Sequence, residues 1–167
     1  MNFSHAVIVM GVAGTGKSTI GALLAERVSV AYAEGDDFHP AANVAKMAAG
    51  VPLEDADRWP WLDSVGAWAR ERGEAGGVAS CSALKRAYRD RLREAAPGVA
   101  FVHLAGSREL IESRMRERKG HFMPVALLDS QFAALEGLGD DEYGVTVDVE
   151  GTPEEIVERA VGALARL

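Results

Sequence analysis

The sequence predicts one α/β domain over residues 1–167, with a five-stranded parallel sheet between helical layers. Three observations predict it. Short β-branched runs alternate with longer helical patterns, the signature of strands and crossover helices. The first run, Ala6-Val7-Ile8-Val9-Met10, passes directly into the glycine-rich stretch Gly11-Val12-Ala13-Gly14-Thr15-Gly16-Lys17-Ser18 and then into a helical pattern. The length of 167 residues suits a single buried core.

In chain order, strands are predicted at Ala6–Met10, 30–33, 77–81, 100–104 and 145–149. After the glycine-rich stretch, Ile20, Leu23, Leu24 and Val28 recur at the spacing of a helix packed on a sheet. Between the second and third strands, one helix stops at Gly50 and another starts near Asp55. This gives an inserted helical segment over about 40–75, placed to cover an acceptor substrate. Ser107 can cap a helix carrying Leu110, Ile111 and Met115. Arg114, Arg116, Arg118 and Lys119 then run into Gly120-His121-Phe122-Met123-Pro124, a basic helix end and glycine-containing loop that reads as a lid over about 114–126. The last helix opens with Thr152 as N-cap, Pro153 at the first helical position and Glu155 completing a capping box.

Bulk composition narrows the function classes. The chain is 48% hydrophobic and 26% charged, with a net charge of -7, which disfavours nucleic acid and anionic membrane as partners. Its first apolar run is too short to span a bilayer and has no basic region ahead of it. Cys81 is the only cysteine, so no internal disulfide can form and a reducing, cytoplasmic setting is expected.

The stretch Gly11–Ser18 is a phosphate-binding loop. Its glycines let successive backbone N–H groups turn inward on phosphate oxygens, Lys17 adds a cation and the Ser18 hydroxyl can ligate magnesium. The helix that begins near Lys17 points its positive end at the same anion. Gly11, Val12, Ala13, Gly14, Thr15, Gly16, Lys17, Ser18 and Thr19 are therefore the expected ATP-binding residues. In an open parallel sheet the ligand sits at the carboxyl ends of the strands, so functional residues should follow each strand. Glu34-Gly35-Asp36-Asp37-Phe38-His39-Pro40 follows the second, and Ser82-Ala83-Leu84-Lys85 the third.

Phosphoryl transfer to an alcohol needs an acceptor hydroxyl in line with the γ-phosphate and a group to take its proton. Asp36 is the candidate base, Glu34 or Asp37 can hold magnesium through water, and His39 suits a polar substrate contact. Arg58 offers a planar fork for a carboxylate or phosphate, or else pairs with Asp55 or Asp57 on the surface. Lys85, Arg89 and Arg93 fall at intervals of four, and the first two lie near enough to the expected site to meet an anionic substrate. Arg114 and Arg118 share a helical face and can neutralise the transferring phosphoryl group when the lid closes. Trp59, Trp61, Trp68 and Cys81 read as core.

Gly35-Asp36-Asp37-Phe38-His39-Pro40, Asp57-Arg58 with Pro60-Trp61-Leu62, Cys81-Ser82-Ala83-Leu84-Lys85 with Tyr88-Arg89-Asp90, Arg118-Lys119-Gly120-His121-Phe122, and Gln131-Phe132 with Leu135-Glu136 complete the pattern. Together these resemble the gluconokinase family of small P-loop kinases, relatives of the shikimate kinases. The resemblance implies a three-layer P-loop kinase fold and magnesium-dependent transfer from ATP to the 6-hydroxyl of D-gluconate. It also implies a homodimer, and acceptor contacts from His121 and Gln131 besides Asp36, His39, Arg58, Lys85 and Arg89. Glu34 stands where such kinases usually carry the shorter aspartate. Three other readings remain open at this point: a kinase of another small hydroxy acid such as shikimate, a nucleotide-dependent switch, and a nucleic-acid 5′-kinase. The extended match around Asn43–Leu62, the lack of a guanine-reading motif and the acidic charge speak against them in turn.

Overall fold

All five residues of β1 (Ala6–Met10) are buried, so this strand must lie inside a sheet covered on both faces. The computed structural model, which describes residues 5–117 and 125–167, places it at the centre. Around it run β2 (Ala31–Glu34), β3 (Gly77–Ser80), β4 (Ala100–Ala105) and β5 (Gly144–Asp148), all parallel, in the order β2-β3-β1-β4-β5. The seven α-helices among the described residues are α1 (Lys17–Arg27), α2 (Ala41–Ala48), α3 (Asp55–Arg72), α4 (Arg86–Ala95), α5 (Arg108–Glu117), α6 (Val125–Ala134) and α7 (Pro153–Leu164).

The two-residue period of the strands divides the core. Ala6, Ile8 and Met10 face one side with Trp61, Leu62 and Val65 of α3 and Tyr88 and Leu92 of α4. Val7 and Val9 face the other, with Ile20 and Leu24 of α1 and Ile156, Val157 and Ala160 of α7. A smaller cluster, Val12, Leu84, Ile111 and Leu128, joins α5 and α6 to the mouth of the sheet. This arrangement is the three-layer fold that the sequence predicts.

The predicted caps form. Ser107 Oγ accepts from the Leu110 N–H at 3.1 Å, and Thr152 and Glu155 make a reciprocal capping box at the start of α7. The second strand starts one residue later than predicted because the Val30 N–H is already committed to the Ala25 carbonyl at the end of α1. Trp61 and Cys81 are core residues, as expected.

Candidate active site

The register of the sheet brings three strand ends together: Glu34 pairs with Ser80, and Ser80 with Val9. The chain leaves β1 at this point through the phosphate loop. Gly14 and Gly16 take φ of 84° and 89°, a left-handed conformation that other residues adopt at a cost. Gly14 also has no room for a side chain, since a Cβ there would come within 2.7 Å of Met115 on α5. The Thr15 hydroxyl and the Lys17 ammonium both donate to the Val12 carbonyl, at 2.9 and 3.1 Å, and the Gly11 N–H donates to Ser82 at the end of β3. Helix α1 begins at Lys17, so its first-turn N–H groups and the positive end of its dipole face the loop.

Glu34, the last residue of β2, reaches the loop directly. Its carboxylate accepts from Ser18 Oγ at 2.5 Å, from Ser80 Oγ at 2.7 Å and from the Tyr32 hydroxyl at 3.0 Å. Partial burial pushes its carboxyl up, but these three hydroxyl bonds and the Asp36 N–H outweigh that and hold it below the usual carboxylate range. An oxygen-only donor set of one hydroxyl and one carboxylate at a phosphate loop fits a small, hard cation such as magnesium. No group of three or more His, Cys, Asp or Glu side chains suited to a metal occurs among the described residues.

Two residues beyond Glu34, Asp36 stands exposed on a 3₁₀ turn over Gly35–Phe38. Gly35 at the head of that turn is pressed onto β3, where a Cβ would meet the Ser80 carbonyl. Asp37 is exposed on the same turn, while Glu34 alone of the two candidate metal carboxylates contacts Ser18. His39 stacks on Trp61 with ring centroids 4.2 Å apart, and its Nδ1 meets Asn43 Nδ2 at 3.1 Å. An amide nitrogen donates, so Nδ1 accepts and the neutral ring carries its proton on Nε2. Burial pushes the His39 pKa down; Asp36 pulls it up and Arg58 pushes it further down. Beneath this group lies the Cys81 thiol, pushed up to about 12 by burial and within electrostatic reach of Lys17, Asp36 and Glu34 together.

The basic residues separate into two groups. Arg58, 29% exposed in its side chain, donates to the Leu53 carbonyl at 2.8 Å and lies 3.8 Å from Asp55 Oδ1. Lys85, which caps α4, lies 3.6 Å from the same oxygen. Tyr88 donates its hydroxyl to that oxygen at 2.5 Å, and both cations lie over its ring at 5.5 and 5.6 Å. Two cations thus share one carboxylate.

Arg89 does not join them, which corrects the expectation that it meets the substrate. Its side chain is 0% exposed, and its guanidinium donates to both oxygens of Glu142 and to the carbonyls of Ala83, Leu84 and Gly137. Those five contacts match its five N–H groups, so none is left for a ligand. Arg93 turns to Glu142 as well, at 2.9 Å.

Above the loop, Arg114 is half-buried and donates a long bond of 3.4 Å to the Gly151 carbonyl, beyond β5. Gln131 on α6, expected at the acceptor, lies at the phosphate loop instead: its Oε1 accepts from the Ala13 N–H at 2.6 Å. Arg118, His121 and most of the lid fall outside the described residues. The sequence reading missed Tyr32, Ser80, Asp55 and Tyr88 as parts of the site. Tyr32 and Glu34 lie two apart on β2, which puts them on one face, but only the β2–β3 register shows that Ser80 meets them there.

A parallel sheet with the phosphate loop after its central strand, a carboxylate-bearing turn after β2 and a pair of cations over Tyr88 defines a small-molecule P-loop kinase. Comparison with solved structures agrees. The chain aligns with a gluconokinase from Sinorhizobium meliloti 1021 at a TM-score of 0.92 and 47% identity, covering 99% of this chain and 94% of that one. At the level of fold alone it resembles the shikimate kinase of Aquifex aeolicus, with a TM-score of 0.65, 15% identity and 96% of each chain covered. No family model matches the chain. Among curated proteins it is 47% identical over 157 residues to a gluconokinase of Gluconobacter oxydans, covering 93% of this chain and 88% of that protein. It is also 40% identical over 165 residues to the thermoresistant gluconokinase of Escherichia coli, covering 97% and 94%. The chain belongs to the gluconokinase family.

Proposed function

We propose that this chain transfers the γ-phosphoryl group of ATP to the 6-hydroxyl of D-gluconate, giving 6-phospho-D-gluconate and ADP. The observation that carries this reading is the convergence of the phosphate loop, the Asp36–His39 turn and the Arg58–Lys85 pair at the carboxyl ends of the strands, in a member of the gluconokinase family. The acceptor oxygen attacks the γ-phosphorus, the bond to the β,γ-bridging oxygen breaks and ADP leaves, while the hydroxyl proton passes to Asp36. Lys17 and the loop N–H groups stabilise the charge on the β- and γ-phosphates. Ser18 and Glu34 would hold magnesium, whose charge, when bound, neutralises the phosphate oxygens.

The substrate carboxylate is the partner for Arg58 and Lys85, since Arg89 is committed to Glu142. His39, presenting Nε2–H, serves the substrate hydroxyls together with His121. The segment over about 40–75 forms the acceptor wall and that over about 114–126 the lid, with Arg114 and Arg118 brought to the phosphoryl group on closure. Gln131 releases the Ala13 N–H as the phosphates arrive. The chain acts as a homodimer, for which Val44, Met47 and Val51, each about half exposed, supply apolar surface. Its setting is the cytoplasm, in keeping with a lone buried thiol and with no helix among the described residues being long and apolar enough to cross a membrane.

The test is ADP release with magnesium-ATP against D-gluconate, shikimate, glycerate, the C5 epimer of gluconate and a 5′-hydroxyl oligonucleotide. Turnover selective for D-gluconate is expected; turnover with another panel member alone, or with none, would overturn the reading. In the same assay Asp36→Asn should lower kcat by about 10²–10⁴-fold, the range of general-base catalysis, with ATP affinity nearly unchanged. Unaltered kcat would remove Asp36 from the chemistry.

A further inference from the structure

Glu34 carries one more rotatable bond than the aspartate usual at its position, yet its carboxylate is held on both oxygens. Ser80 Oγ donates to Oε1 at 2.7 Å, and the Tyr32 hydroxyl lies 3.0 Å from Oε2 and 2.8 Å from Ser80 Oγ. Ser80 spends its single proton on Glu34, so the Tyr32 proton is shared between Oε2 and the Ser80 oxygen. The tyrosine itself is fixed by packing. Its ring lies against Gly21 on α1, where a Cβ would come within 2.7 Å of Cε1. Helix α1 also carries Ser18, and the strand pairing sets Glu34 beside Ser80. Three elements therefore converge on one carboxylate.

The Ser18 hydroxyl gives its proton to Oε2 at 2.5 Å. A hydroxyl whose proton is so committed turns its lone pairs away from the carboxylate and leaves them for a cation. A carboxylate free to swing would not hold the hydroxyl in that sense. We propose that Tyr32, together with Ser80, is a positioning residue: it locks the Glu34 carboxylate so that Glu34 takes the Ser18 proton and leaves the Ser18 oxygen as a ligand for a divalent cation. This inference rests on the assignment of Ser18 and Glu34 to magnesium made above. Tyr32 touches neither substrate nor metal and acts only through Glu34.

The experiment is calorimetric titration of the whole protein with ADP, with and without magnesium, for the wild type, Tyr32→Phe, Ser80→Ala, Glu34→Gln and the Tyr32→Phe/Glu34→Gln double variant. Urea unfolding of each variant accompanies it. The wild type should bind ADP more tightly with magnesium. Tyr32→Phe should reduce that enhancement by about fivefold, the worth of one hydrogen bond, without changing magnesium-free affinity. In the Glu34→Gln background the same substitution should change nothing further. If Tyr32→Phe unfolds, Ser80→Ala carries the same comparison. A wild-type enhancement retained in full by Tyr32→Phe and Ser80→Ala, or reduced equally in the Glu34→Gln background, would overturn the positioning role while leaving the magnesium assignment intact. No magnesium enhancement in the wild type would overturn both.

Discussion

Arg58 and Arg89 share a chemistry and lie near one end of the same sheet, yet their surroundings assign them opposite work. Arg89 is fully buried, with every N–H spent on Glu142 and on three carbonyls. One of those carbonyls belongs to Ala83, a non-glycine residue held at φ 43°, immediately before the turn that presents Lys85. Arg89 thereby offsets local strain and builds the wall of the site. Arg58 keeps an exposed edge and shares Asp55 with Lys85 and Tyr88. The comparison teaches that an arginine is available to a ligand only when its donors outnumber its internal partners.

The sharpest way to break this contrast is Arg89→Ala. It strips the buried Glu142 carboxylate of its bidentate partner and leaves Arg93 as its remaining cation, so a stability loss of about 3 kcal/mol, the low end for a broken buried pair, is expected by urea unfolding. A loss under about 1 kcal/mol would contradict the structural role of Arg89.

Acid should reach the same pair. Burial raises the Glu142 pKa, but hydrogen bonds from Arg89, the Gly139 N–H and Arg93 outweigh it and hold the carboxyl at about 2, against an ordinary 4.5. A depressed folded pKa gives stability that is complete above the unfolded value and is lost as pH falls through 4.5 toward 2. The loss is on the order of 3 kcal/mol. Glu142→Gln should flatten the pH dependence of unfolding in that window, and an undiminished slope would assign it to other carboxylates.

Arg58→Ala should instead spare stability and raise the KM for D-gluconate by about 10–100-fold, the range for a lost hydrogen bond to a charged group, with the KM for ATP little changed. Lys85→Met, which removes a more flexible point charge, should raise it by a smaller factor, about fivefold. A KM effect on ATP alone would move the acceptor carboxylate away from this pair.

How much of this was legible in the sequence follows from how far apart the interacting residues are. The phosphate loop, its strand and its helix are local, and glycine, lysine and serine at fixed spacing announce them. Helix caps such as Thr152–Glu155 are local too. All five strands fall within a residue or so of their predicted bounds, β1 and β4 because burial on both faces leaves near-continuous apolar runs. The fate of Arg89 was hidden: its spacing from Lys85 suggests one shared basic face, and nothing local tells that Glu142, 53 residues on, closes over it. Gln131 was likewise unreadable as a partner of Ala13, 118 residues away. The Tyr32–Glu34–Ser80 clamp needs the β2–β3 register, which pattern alone does not supply.

The most direct measurement is proton-coupled phosphorus NMR of the product formed from magnesium-ATP and D-gluconate. A new phosphomonoester coupled to the two protons of a terminal CH2 group is expected, with ADP in equal amount. An ester coupled to a single proton, or inorganic phosphate as the only new species, would contradict it.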